Sequence, residues 1–253
     1  MSISPINDVL TSAVQGNQLF NIINNQPASS PTDIFKTILN NQQWVNPRDR
    51  IHNDPSITAL WLQYPNDIIS KKAASIVNYS DSDDIKVQKI QEWVVNNIEY
   101  MSDQEQYGYE ELWVPPVMLL AQGKGDCEDG AFLIMSLALN AGVDPSRLRF
   151  YGGEVEIGDG AATGGHGWVA YKRESDDAWV PVDFSYYPQL CPMDCRIPLA
   201  DDERYINQYF IFEVGQIIIS DVNRVRQPNI YNPGGYIEPN VLFPNGILAN
   251  TYA

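Results

Sequence analysis

Gly123-Lys124-Gly125-Asp126-Cys127-Glu128-Asp129-Gly130 decides how this chain is read. The glycines and Asp126 make a turn, and Ala131-Phe132-Leu133-Ile134-Met135-Ser136-Leu137-Ala138-Leu139-Asn140-Ala141 follows it, apolar almost all round, up to Gly142. That pattern predicts a buried helix beginning at the cysteine and stopping at Gly142. A thiol at such a start sits among the unpaired N–H groups of the first turn, and the helix dipole favours its thiolate, the nucleophilic form. The turn therefore predicts a poised Cys127 at the mouth of a rigid element. Asp126 stands where a helix is capped. Together with Glu128 and Asp129 it also offers the carboxylate oxygens that calcium takes as ligands.

Upstream, Ile85, Val87, Ile90, Trp93, Val94 and Ile98 fall largely on one helical face, predicting a helix over Asp84 to Ile98 packed on a core. Another helix is expected over Asp67 to Tyr79. Before it, the Asn/Gln-rich stretch carries apolar groups at spacings of three and four, which predicts short helices. The aromatic segment from Glu99 to Gln122, with Tyr107, Trp113 and Pro115-Pro116, reads as irregular. Downstream, a strand is expected over Leu148 to Ile157, then a glycine-rich connection over Gly158 to Gly165. Two alternating strands follow, His166 to Lys172 and Ala178 to Phe184, joined by polar Glu174-Ser175-Asp176-Asp177. Tyr205 to Ser220 reads as a further strand or strand pair broken near Gly215, and the Pro-rich remainder as an extended tail. The resulting division is 1–83 helical and Asn/Gln-rich, 84–226 core, 227–253 tail.

Sixteen Lys and Arg against thirty-two Asp and Glu leave a net charge of −16, which repels nucleic-acid phosphates and anionic membranes. Neither is an expected partner. With no basic segment ahead of an apolar run and no long apolar stretch, neither a signal peptide nor a transmembrane segment is expected, and a cytoplasmic or virion-associated location is. Of the three cysteines, Cys191 and Cys195 are close enough for a local disulfide or for two free thiols, and Cys127 is left over. Only His52 and His166 are available as bases. His52 lies in a polar loop without a strand-borne carboxylate to orient it.

A cysteine nucleophile needs a base, and the base a partner that fixes its tautomer. His166 and Asp183 fit, since an antiparallel pair of their two strands sets the residues face to face. Four blocks in order carry a resemblance: Trp93-Val94-Val95-Asn96-Asn97-Ile98-Glu99-Tyr100, Gly125-Asp126-Cys127-Glu128-Asp129, Gly165-His166-Gly167-Trp168-Val169 and Trp179-Val180-Pro181-Val182-Asp183. They resemble the transglutaminase-like superfamily of papain-type thiol enzymes, and within it the bacterial transglutaminase-like cysteine proteinases. The resemblance implies a papain-like α+β fold, with the cysteine helix on an antiparallel sheet. It implies Cys127 as nucleophile, His166 as base and acid, and Asp183 as the orienting residue.

The expected chemistry is acyl transfer through a thioester on a protein or peptide, ending in hydrolysis or in cross-linking. The backbone N–H of Cys127 and a donor from the upstream segment are expected to hold the oxyanion; the indole N–H of Trp113 is a candidate for the second, while an aromatic before Pro-Pro more often reads as packing. No cofactor is required, but calcium at Asp126, Glu128 and Asp129 is compatible, and some bacterial relatives with this turn depend on it. The other class of function is a structural or assembly role, such as a virion or tail component, for which the Asn/Gln-rich and Pro-rich flanks speak.

Overall fold

The structure, a computed structural model, describes residues 61–158, 162–214 and 216–224. The expected N-terminal short helices, His52 and the tail 227–253 lie outside the described residues. Among the described residues no helix is long and apolar enough to cross a membrane.

Side-chain caps start the first two helices. Asn66 accepts from the N–H groups of Ile68 and Ile69 at α1 (Asp67–Ile76), and Ser82 accepts from that of Ile85 at α2 (Asp83–Asn97). α1 ends short of Tyr79 because Val77 is extended and Asn78 N–H donates to the Asp81 carboxylate, closing a turn. The stretch expected as irregular holds β1 (Glu99–Tyr100), α3 (Asp103–Gln106) and α4 (Pro116–Gln122). Pro116 sits in the first turn of α4, where its missing N–H would be unpaired anyway and its φ is pre-set, so the Pro-Pro pair starts a helix. β1 pairs in parallel with β2 (Lys124–Gly125), directly before α5 (Cys127–Asn140).

Every residue of α5 is buried. On one side it meets α1, α2 and α4, and on the other a five-stranded sheet. The strands are β3 (Leu148–Ile157), β4 (Ala162–Lys172), β5 (Trp179–Val182), β6 (Tyr205–Glu213) and β7 (Gln216–Arg224). They are antiparallel in the order β5-β4-β3-β6-β7. This is the α+β arrangement expected of a papain-like core. Phe132 of α5 stacks on Phe150 of β3 at 4.2 Å, and Phe150 on Phe212 of β6 at 5.4 Å, which ties helix to sheet. Burying one such ring stabilises by about 1.5–3 kcal/mol. Trp61 and α1 share this core, so the described part of segment 1–83 packs directly on the cysteine helix.

Gly164 and Gly165 belong to β4, not to a connection, because the ten residues of β3 offer each of them a partner, Val155 and Glu154. Alternation divides the sheet between two faces. Phe150, Val169 and Tyr171 join the cluster around α5, and Tyr151, Trp168, Ala170 and Tyr205 form a second cluster on the other face. β5 is an edge strand of four residues with Pro181 among them, and Leu199 N–H donates to its Trp179 carbonyl.

Two close approaches set the register of α5 against the sheet. A Cβ on Gly130 would lie 2.2 Å from the Phe184 ring, and one on Gly167 would lie 2.9 Å from Glu128 Cβ. Gly130→Ala is therefore expected to cost about 1–3 kcal/mol of stability through overpacking. The check is the thermal midpoint by circular dichroism; an unshifted midpoint would mean that Phe184 moves aside freely.

Candidate active site

Cys127 is the first residue of α5, 4% exposed, and the one free cysteine, since Cys191 and Cys195 form a disulfide. Its Sγ donates to Glu128 Oε2 at 3.2 Å. Gly167 of β4 packs directly on this helix start, where a Cβ would lie 2.9 Å from Glu128 Cβ. The helix start is not the only influence on the thiol. Burial, then the charges of Glu128 and Asp126, push the Cys127 thiol well above its usual range, and the Gly167 N–H only partly opposes them.

His166 lies in β4 and Asp183 just past the end of β5. The two are not face to face as expected. Val182 is the last rung, opposite Val169, so Asp183 reaches His166 diagonally from beyond the ladder. The contact is nonetheless short, with His166 Nε2 2.7 Å from Asp183 Oδ2. His166 also stacks in parallel on Trp168 at 5.9 Å. Four donors converge on the Asp183 carboxylate. Oδ2 takes His166 and the Tyr205 hydroxyl, both at 2.7 Å, and Oδ1 takes the N–H groups of Ser185 and Tyr186. Burial raises the Asp183 pKa, but the His166 charge and hydrogen bond, with those of Tyr205 and Tyr186, outweigh it and hold the carboxyl below its usual range. From behind, Gln91 Nε2 donates to the Asp183 carbonyl, and Arg196 Nη1 donates to Gln91 Oε1.

Beside the thiol lies a cluster of buried acids: Asp103, Glu111, Asp126, Glu128 and Asp129. The ligand atoms of Asp103, Asp126 and Asp129 lie within 4.8 Å of one another, as do those of Asp126, Cys127 and Glu128. Asp103 accepts from Leu112 N–H, and Asp129 from Val114 N–H at 2.7 Å. One carboxyl oxygen on each of Asp103, Asp126, Glu128 and Asp129 is buried with no hydrogen-bond partner. Among the described residues, no ion pair engages these four. Burial and mutual repulsion push Asp103 up to about 11 and raise Asp126, Glu128 and Asp129 well above the carboxylate range. Asp126 sits at the N-cap position, yet its side chain makes no capping bond. The donor set is all hard oxygen, crowded and short of positive charge, and so fits a divalent cation such as calcium.

Residues 70–184 match the Transglutaminase-like superfamily. The chain carries a transglutaminase-like core. Solved structures similar to it include LapG of Legionella pneumophila, at TM-score 0.42 and 16% identity over 60% of this chain and 86% of that chain. The EGTA-treated form of LapG gives 0.42 and 15% over 70% and 95%. The calcium-bound form gives 0.43 and 15% over 65% and 92%. A comparison with curated proteins gives no match.

Within the transglutaminase-like core, Trp113 takes the packing role and not that of an oxyanion donor. Its Nε1 donates to Glu111 Oε1 at 2.6 Å, and its ring packs against Trp61, Phe132 and Phe212. It is a packing residue with its donor engaged. Sequence reasoning missed Asp103, Glu111, Gln91, Tyr205 and Arg196. The last two lie beyond residue 184, outside the matched span, and no local pattern marks any of the five.

Proposed function

We propose that this transglutaminase-like core is a thiol enzyme that breaks an amide bond of a protein or peptide through Cys127, His166 and Asp183. The observation that carries the reading is the short His166–Asp183 contact, made from the strand whose next residue, Gly167, packs on Glu128 beside Cys127. An ionised Asp183 accepts from Nε2–H, which leaves Nδ1 as the nitrogen that exchanges a proton. That nitrogen takes the thiol proton as sulfur adds to the carbonyl carbon. It returns the proton to the amine as the C–N bond breaks, leaving a thioester on Cys127. Water then completes a hydrolysis, or a second amine a transfer. The Cys127 backbone N–H, at the start of α5, is placed to stabilise the oxyanion, a contribution of about 3 kcal/mol for one such donor.

Asp103, Asp126, Glu128 and Asp129 are the residues that would hold calcium. Bound there, the ion would supply positive charge next to a thiol whose ionisation the same carboxyls oppose. The unpartnered oxygens and, among the described residues, the absence of ion pairs at these four support that assignment.

One observation favours a second reading, a structural module without catalysis: the thiol is engaged by Glu128 and its ionisation is suppressed. Labelling separates the two. In calcium, iodoacetamide is expected to alkylate Cys127 at neutral pH, and His166→Ala to slow this by about 100-fold or more. Sluggish labelling that ignores His166 would sink the enzymatic reading.

A further inference from the structure

We infer that Tyr205 is a positioning residue of the site, acting through Asp183 on the orientation of His166. The inference rests on the thiol-enzyme reading above. Tyr205 belongs to β6, outside the segment that matches the family, and is fully buried. A carboxylate only accepts hydrogen bonds, so at 2.7 Å from Asp183 Oδ2 the Tyr205 hydroxyl is the donor. That oxygen is the one His166 Nε2 uses.

The hydroxyl has little freedom to do anything else. Its ring meets Trp168 at 5.0 Å and stands edge-on to Tyr186 at 5.7 Å, and the same two rings flank His166. Its backbone is held opposite Val155 of β3, and its N–H donates to the Asp202 carbonyl. Burial and the Asp183 charge hold the phenol well above its usual range, so it stays a donor wherever the enzyme works. With two backbone N–H groups on Oδ1 and two side chains on Oδ2, the carboxylate cannot swing without breaking several bonds. Removing the hydroxyl leaves Oδ2 with His166 alone and frees the carboxyl to turn about the Oδ1 anchor. The imidazole then loses its fixed direction.

The experiment is Tyr205→Phe in the full chain with calcium present, read in two ways. The rate of Cys127 alkylation at neutral pH is expected to fall by about 10-fold, the size of one hydrogen bond to a charged group. In a His166→Ala background the same change is expected to have no effect, because the route runs through His166. Nitrogen-15 NMR of the imidazoles supplies the second readout. The chain has two histidines, so His166 is assigned by its loss in His166→Ala, and its Nε2–H signal is expected to shift in Tyr205→Phe. Equal slowing in both backgrounds, or an unmoved Nε2–H signal with only a lowered thermal midpoint, would reduce Tyr205 to a structural residue and overturn the inference. If His166→Ala itself leaves alkylation unchanged, the thiol-enzyme reading has failed instead, and the two failures are told apart.

Discussion

Adding calcium to chelator-treated protein at neutral pH is expected to raise the thermal midpoint by roughly 5–15 °C. A ligand that binds only the folded state at 100 to 1,000 times its dissociation constant contributes about 2.7–4.1 kcal/mol, at about 2–4 °C per kcal/mol for a chain of this size. Without the ion, the carboxyls of Asp103, Asp126, Glu128 and Asp129 hold their protons more tightly folded than unfolded. Their contribution to stability is therefore complete below the ordinary carboxylate range, near pH 4, and is lost as pH rises through the folded-state values, up to about 11 for Asp103. Chelated protein should thus gain stability on going from about pH 8 to about pH 5. Asp183 acts in the opposite sense, since its lowered folded value gives stability that is lost only as pH falls below about 4. With calcium saturating, the gain toward pH 5 should vanish, because protons and the ion compete for the same oxygens. Identical melting curves with chelator and with calcium across this range would remove the cation site.

Asp183→Asn is expected to cost about 3–5 kcal/mol, the scale of breaking a buried charged pair, and to bring Cys127 alkylation down to the His166→Ala level. The reason is a count of donors. Asn presents one oxygen where four donors now meet two. If that oxygen faces His166 and Tyr205, its NH2 opposes the N–H groups of Ser185 and Tyr186; turned over, the NH2 opposes His166 and Tyr205. Either way two donors face a donor, each a buried group left unsatisfied. Thermal melts and labelling rates measure the two effects. A variant that keeps both its midpoint and its labelling rate would show that an amide oxygen toward His166 suffices and that the negative charge is dispensable.

Local patterns account for what could be read in advance. The apolar run after Cys127, the alternation in β3 to β5 and the order of the four blocks place the helix, the sheet and the His166–Asp183 pair, because burial and turn chemistry are written in neighbouring residues. Glycines carry less local information. Gly164 and Gly165 look like a connection until β3 supplies a partner for each. The state of Cys127 depends on residues that its local sequence does not place. A helix start favours a thiolate, but its neighbours Glu128 and Asp126 are buried with it and oppose its charge, and Asp103 and Glu111 arrive from another segment to act in turn on Glu128. Burial is a property of the assembled core, and it reverses the sign of a local electrostatic expectation. Tyr205 and Arg196 were illegible for the same reason. Each acts across the fold, on a residue or relay that only the packed sheet brings near.

The short edge strand β5 bears on how the proposed enzyme would recognise a polypeptide. Many proteins that handle extended chains add them as an extra strand, taking affinity from main-chain hydrogen bonds and little from sequence. Here the edge next to Asp183 offers four residues, one of them a proline without an N–H, and its Trp179 carbonyl is already taken by Leu199. An incoming chain finds no ladder to extend on that side. For the thiol enzyme proposed above, discrimination between substrates would therefore fall to the side chains around the site and not to main-chain pairing along β5.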